Sequence, residues 1–441
     1  MGRHSHSRAL NIWMNGELLG QWTLLGNGTH ELTYADSWYH SASVRPLSLS
    51  LPITGQALRG RMVEYYFDNL LPDSIEIRRR VQTNFRTAST SAFDLLSAIG
   101  RDCVGAVQLL PIGIEPIGWN MIEVQPLRSQ EIEQWLSRVV TSGNAMGGDE
   151  EESFRISLAG AQEKTALTWH QGQWCKPHGA TPTTHIFKLP MGLVGNRQAD
   201  MSNSVENEWL CAQLAKAVGL PTASCEIGQW GSQKALVVER FDRRMAANGA
   251  HWLRLPQEDF CQALGLPSHL KYEADGGPGL GQLAGLLRTS ASAQEDLRTL
   301  FESQLFFWML AATDGHAKNY SLGLLANGVH RLTPLYDILS AWPIVGPKAH
   351  QVPADKLKMA MALRGKNAHY HVQTIQPRHF LDTAKREGYA DMEGSMRRMA
   401  ARLPAALEEI AQKLPRNFPE NLFHTIANGA LTMSRRLQSG D

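Results

Sequence analysis

The chain has 441 residues, 43% of them hydrophobic and 19% charged, so it reads as an ordinary globular protein and not as a disordered or fibrous one. Its 43 Lys and Arg against 42 Asp and Glu leave a formal charge of +1, which excludes a whole-chain electrostatic footprint for direct nucleic-acid binding, although a local basic patch stays open. The five cysteines, Cys103, Cys175, Cys211, Cys225 and Cys261, are scattered and lack any C-x-x-C, which points to free thiols in a reducing compartment and away from a zinc site. The first residues carry no secretory apolar core, and the longest strongly apolar run, 305–312, is far shorter than the ~20 residues that span a bilayer. A cytoplasmic protein without membrane association is expected, built from two or three packed units.

Residues 10–14 and 17–22 flank Asn15-Gly16, a hairpin dipeptide, and 30–34 reads as a further strand. Residues 62–81 are helical in pattern and broken at Pro72; 103–110, apolar and closed by Pro111, read as a strand. The carboxylates and arginines of this first unit read as solvated faces with no chemistry. A glycine-rich, then acidic joint at 143–153 follows, which divides the chain into a β-rich unit at 1–145, a second at 150–242 and a third at 243–441.

In 154–167 two apolar segments flank the small residues Ala159-Gly160-Ala161, which suggests strand, tight turn, strand, with backbone N–H groups able to face an anion. The turn has neither the phosphate-loop NTPase pattern nor the three glycines of an ordinary protein-kinase loop, so a plain hairpin and a phosphate cradle both stay open. Residues 185–189 alternate like a strand bearing Lys188, either a surface lysine or one that pairs the phosphates of ATP. A helix over 204–218, N-capped by Ser204, offers Glu206 or Glu208 as its partner. Residues 235–239 read as a buried strand that runs into the polar Arg240-Phe241-Asp242-Arg243-Arg244, a strand-then-hinge pattern. Beyond it 257–264, 282–287, 294–312, 378–386 and 392–414 are helical, and 271–281 and 342–355 are long loops, suited to substrate contact or merely mobile.

The stretch Asp314-Gly315-His316-Ala317-Lys318-Asn319 has the Asp-x4-Asn spacing with which protein kinases place a catalytic base and a magnesium ligand on one loop. Asp337, after Tyr336, is a candidate second metal ligand. Between them Asn327-Gly328 sits between apolar runs; as a two-residue turn it sets Ala326 opposite Val329, hence Asn319 opposite Tyr336 and Lys318 opposite Asp337. One hairpin would then carry amide and carboxylate to a single Mg²⁺.

In order, these elements resemble the HipA kinases, toxin components of bacterial type II toxin–antitoxin modules. The resemblance runs over essentially the whole chain: Arg45-Pro-Leu-Ser-Leu-Ser-Leu-Pro52, Phe67-Asp-Asn-Leu-Leu-Pro-Asp73, residues 155–167, Val238-Glu-Arg-Phe-Asp-Arg243, Leu255-Pro-Gln-Glu-Asp259, residues 314–321 and Tyr336-Asp337. It implies an α+β, two-lobed protein-kinase-like fold with a β-rich N-terminal lobe in two parts, an all-helical C-terminal lobe, and ATP and Mg²⁺ between them. It further implies Asp314 as proton acceptor from a substrate serine, and Asn319 and Asp337 as Mg²⁺ ligands. Lys188 would contact the phosphates under a loop of Ala159, Gly160, Ala161, Gln162, Glu163 and Lys164. Glu239, Arg240 and Phe241 would meet adenine, with His316, Ala317, Lys318 and Tyr336 beside the nucleotide and Ser157 as an autophosphorylation position. The implied protein substrate is an aminoacyl-tRNA synthetase, best known as the glutamyl enzyme, and the implied partner a dimeric HipB-like antitoxin that contacts operator DNA. A small-molecule kinase with a similar cleft and a pseudokinase corepressor are the alternatives.

Overall fold

The computed structural model describes residues 7–141, 157–160 and 162–439. The joint expected at 143–153 lies outside the described residues, as do Arg155 and Ala161.

The chain opens with a five-stranded antiparallel sheet in the order Leu58–Arg59, His30–Tyr34, Glu17–Leu24, Arg8–Met14, Gln108–Pro111. Met14 pairs with Glu17 across Asn15 and Gly16, both at positive φ (47° and 82°), the geometry a right-twisted hairpin demands. Two helices, Arg61–Asp68 and Ala92–Ile99, cover one face, where Trp22 stacks on Phe67 with ring centroids 3.8 Å apart. The helical stretch at 62–81 does break around Pro72, resuming as Ile75–Phe85 under an N-cap from Ser74. Only Gln108–Pro111 of the strand expected over 103–110 is paired. The preceding residues are apolar because Cys103, Ala106 and Val107 are buried in the core of this unit, while their backbone meets an ionic cluster, with Gly105 N donating to Asp242 and Cys103 O accepting from Arg240 and Arg243.

A second antiparallel sheet has six strands in the order Cys225–Trp230, Gln233–Glu239, His185–Lys188, Lys164–His170, Gln173–Pro177, Val124–Pro126. The helix Ser129–Thr141 packs Ile132, Leu136 and Val139 against Leu167, Phe187, Trp230 and Val237 of this sheet. The helix Ser204–Ala217 is buried nearly all round, which sets it between the sheet and the helices that follow. Its N-cap position is Asn203; Ser204 Oγ instead accepts from Met191 N at 3.0 Å.

The C-terminal part is built round the buried helix Ala293–Leu310, against which Leu280–Leu287, Pro377–Arg386, Met392–Ala411 and Glu420–Ser439 pack. The last of these helices was not among the expected ones. The lobe is mainly helical, with strands added: Gln257–Asp259 begins as strand and only then gives the short helix Phe260–Ala263. That strand joins Ser321–Leu324 and His330–Leu332 in a three-stranded sheet, while Lys358–Arg364 pairs with Ala368–His371.

The hairpin register departs from expectation by one residue. Leu322 pairs with Leu332, Gly323 with Arg331 and Leu324 with His330. Asn327 and Gly328 do form the turn, at φ 61° and 77°, but Val329 O accepts from Leu325 N and not from Ala326. Ala326 is therefore an extra residue on one strand, a bulge that shifts every later pair. Pairing ends at Thr333 N to Ser321 O, so neither Asn319 with Tyr336 nor Lys318 with Asp337 forms a ladder pair.

Candidate active site

The loop that carries Asp314 is shaped by its own side chains. Helix Ala293–Leu310 stops at Ala311, which adopts φ 47°. Asp314 O accepts from His316 N at 2.8 Å and from Asn319 Nδ2 at 2.7 Å, so the amide five residues on closes the loop. The Asp314 carboxylate stays 56% exposed at the cleft mouth, accepting from the Tyr272 hydroxyl, with His316 Nε2 at 3.8 Å. Burial lowers the His316 pKa more than Asp314 raises it, so the imidazole stays neutral at pH 7.

Asp337, expected opposite Lys318, pairs instead with Lys188. Lys188, on the strand His185–Lys188, donates to Glu208 Oε1 at 2.5 Å and Asp337 Oδ1 at 2.8 Å. Burial disfavours its charge, yet the two carboxylates outweigh it and raise its pKa. The Asp337 pKa is depressed: burial would raise it, but Lys188 and Lys164 together prevail. Burial wins at Glu208, whose pKa is raised. Asp337 sits at φ 61°, a left-handed conformation that Asp tolerates and that turns its carboxylate back toward the lysine. Of the two candidate acids, Glu208 pairs with Lys188, while Glu206 pairs with Lys234.

Above this pair lies the small-residue turn. Gly160 has φ 103°, and a Cβ there would come within 2.6 Å of Lys164 Nζ, which donates to Ala159 O at 2.7 Å. Lys164 is thus folded under the turn, its pKa lowered by burial and by Lys188. Pro72 bridges Gly160, Asp73 N donates to Gly160 O at 3.1 Å, and the buried Ser157 Oγ donates to Leu70 O at 2.7 Å. The first unit therefore holds this turn in place.

An open cleft with about 1280 Å³ of empty volume, part of it open to solvent, joins these parts. Of the anticipated residues it is lined by Ala159, Gly160, Gln162, Lys164, Lys188, Glu239, Arg240, Phe241, Asp314, His316, Lys318, Asn319, Tyr336 and Asp337. Among the described residues, two of the anticipated nucleotide contacts do not line it: Glu163 pairs with Arg80, and Ala317 is fully buried in the core. Arg240 contributes backbone only, since its guanidinium runs back to Asp242, Asp102 and Thr183. Lys318 is consumed by Asn69 (2.6 Å) and Asp259 (3.1 Å), so it ties the first unit to the catalytic loop. Tyr336 spans Ser321 Oγ and Lys318 O and lies near Phe241.

The expectation that the first unit carries no chemistry fails here. Asn69, Asp73 and Val104 line the cleft, and Asp73 is ion-paired to Lys271 at 2.8 Å with its pKa lowered, burial notwithstanding, by Lys318 and Lys271. The signal was present in Phe67-Asp-Asn-Leu-Leu-Pro-Asp73, a run with two carboxylates and an amide around a helix break.

The HipA-like C-terminal domain matches residues 156–418 and the HipA N-terminal domain residues 10–110. A Sinorhizobium fredii protein with the name "Putative kinase Y4mE" is 36% identical over 348 residues, 77% of this chain and 80% of that one. The serine/threonine-protein kinase toxin HipA of Shewanella oneidensis is 26% identical over 402 residues, 88% and 85% of the two chains. The structure of Shewanella oneidensis HipA with HipB and its operator DNA shares the fold, with TM-score 0.78 at 23% identity over 98% of this chain and 97% of that one. With both domain types in order around this cleft, the chain belongs to the HipA family of kinases.

Proposed function

We propose that this chain is a toxin kinase that uses ATP and Mg²⁺ to phosphorylate a serine or threonine of a protein, working with a DNA-binding antitoxin. The observation that carries the reading is the convergence of Asp314, Asn319, Lys188 and Asp337 in one cleft under a small-residue turn. Asp314 takes the proton of the acceptor hydroxyl; Lys188, steadied by Glu208, stands against the phosphates; the Ala159 to Lys164 turn covers them. Glu239 N and Arg240 N already donate to Ser224 O and Thr184 O, so Glu239 O and Phe241 N are the groups assigned to adenine. Neutral His316 lies beside the phosphates.

The donor set suits Mg²⁺. Among the described residues no three His, Cys, Asp or Glu gather as a metal cluster, and Mg²⁺ takes one or two protein oxygens with phosphate and water completing its shell. Asp337 supplies a carboxylate, and Asn319, its Nδ2 engaged by Asp314 O, supplies an amide oxygen. The ion when bound neutralises charge on the β- and γ-phosphates; the chain's own residues do the positioning, which dominates phosphoryl transfer.

Ser157 is proposed as a self-inactivation site. A phosphate there abolishes the donor to Leu70 O, cannot be housed at a position 1% exposed, and adds roughly −1.5 to −2 charge beside the turn. The turn then leaves its place although every catalytic side chain remains. The proposed protein substrate is an aminoacyl-tRNA synthetase, with the glutamyl enzyme first in line. The HipB-like partner is proposed by analogy with the Shewanella assembly.

ATP titration tests the reading. Asp337→Ala is expected to weaken binding far more with Mg²⁺ than without it, and protein phosphorylated at Ser157 to bind ATP at least about tenfold more weakly, ~1.4 kcal/mol. Equal losses with and without metal contradict the assignment of Asp337, and unchanged affinity after phosphorylation contradicts that of Ser157.

A further inference from the structure

Tyr272 belongs to none of the roles above, yet its hydroxyl donates to Asp314 Oδ1. We propose that Tyr272 is a positioning residue for Asp314, holding one carboxylate oxygen so that the other meets the acceptor hydroxyl; this rests on the reading of Asp314 as the acceptor's base.

Without such a hold, a side chain 56% exposed turns among its rotamers, whereas a general base must stay within about 2.6–3.2 Å of the group it deprotonates. The residues on either side of Tyr272 are fixed to different parts of the molecule. Lys271 Nζ bonds Asp73 Oδ2 at 2.8 Å, and its carbonyl accepts from Ala317 N at 3.3 Å. Glu273 accepts from Ala362 N at 2.7 Å and pairs with Arg364. Tyr272 O itself accepts from Gly277 N at 2.9 Å and Asp275 N at 3.1 Å. The ring stands edge-on to His316, centroids 4.9 Å apart and planes at 83°. Burial and the nearby Asp314 charge both raise the phenol's pKa, so it keeps its proton and acts only as donor. A tyrosine so anchored is placed to orient a neighbour; a removable plug would need a freer backbone.

The test compares wild type, Tyr272→Phe, Asp314→Asn and the double variant. It reads the initial rate of labelled phosphate transfer from saturating Mg-ATP into host-lysate protein, the Kd for ATP and the melting temperature. Tyr272→Phe keeps the ring on His316 and is expected to transfer roughly tenfold to a hundredfold more slowly, with ATP affinity and melting unchanged. The double variant is expected to be no slower than Asp314→Asn alone, because the tyrosine acts only through the aspartate. A Tyr272→Phe rate equal to wild type overturns the proposal, and so does a faster one, which would mark Tyr272 as a plug. Transfer at the wild-type rate by Asp314→Asn, or none by wild type, overturns the reading of Asp314 itself.

Discussion

Lys188 sits between two carboxylates of opposite tendency, one raised in pKa by burial and one depressed by the lysine itself. Asp337 is held below its ordinary 3.8, so its contribution is fully present above that value and lost only as the pH falls through the lower folded pKa. The ammonium is held above 10.5, so the Lys188–Asp337 pair stays charged throughout pH 6 to 9 and gives no limb to a rate profile there. Lys188→Ala is expected to cut the turnover rate roughly 10²-fold or more, as loss of a charge-stabilising donor does, and to lower the melting temperature because Glu208, 6% exposed, loses its counter-charge. Glu208→Gln in that background is expected to restore melting but not turnover; kinetics and calorimetry on the two variants separate the effects. The spacing singled out Asp314 and Asn319, and the strand pattern left Lys188 open between a surface lysine and a phosphate contact; the fold brings all three to one cleft. Glu206 and Glu208 could not be told apart, since residues two apart lie about 200° around a helix and only its rotation in the fold decides which faces the strand.

Elements were legible where periodicity or a turn dipeptide was strong, as in the hairpin at Asn15-Gly16, the helix Ser204–Ala217 and the helix Ala293–Leu310. The bulge at Ala326 was not, because Asn-Gly fixes a turn without fixing how many residues precede it. Nor was the strand Gln257–Asp259, in which Glu258 faces the first unit while Asp259 pairs with Lys318. Glu258 is buried there, accepting from Ser48 Oγ and, at 2.9 Å, from Leu49 N. Burial pushes its carboxyl from 4.5 up to about 8, with Asp259 adding to the rise and these two donors opposing it. The folded state then binds a proton that the unfolded state has released, so stability is full below 4.5 and declines as pH rises toward 8. One such group gives a slope of at most ~1.4 kcal/mol per pH unit. Denaturant unfolding at pH 5 and pH 8 is expected to show this decline in the wild type and a flatter dependence in Glu258→Gln.

The whole molecule is joined by a buried ionic cluster that no local pattern announced. Asp102 accepts from Arg243 at 2.9 Å and Arg254 at 3.1 Å and lies 3.4 Å from Arg240, while Asp242 pairs with Arg240 at 2.8 Å. The carbonyls of Cys103, Gly105, Ala180 and Thr183 take other guanidinium N–H groups, so three cations share two carboxylates and a ring of backbone dipoles. Because Asp102 comes from the first unit, Thr183 from the loop leading into the strand His185–Lys188, and Arg254 from the strand Trp252–Arg254, the cluster fixes the walls of the cleft relative to one another. The two-lobed plan was legible through resemblance; the role of the first unit in building the cleft was not, because contacts such as Ser157–Leu70, 87 positions apart, and Lys318–Asn69, 249 apart, leave no periodicity. The cleft is expected to transfer phosphate to protein through Asp314. The direct measurement is phosphopeptide mapping after incubation with ATP, Mg²⁺ and host lysate, wild type beside Asp314→Asn. Loss of a general base costs ~10² to 10⁴-fold, so the account expects a defined set of phosphoserine or phosphothreonine peptides with wild type and their absence with a variant that melts at the same temperature. The same peptides at the same rate from Asp314→Asn would contradict it.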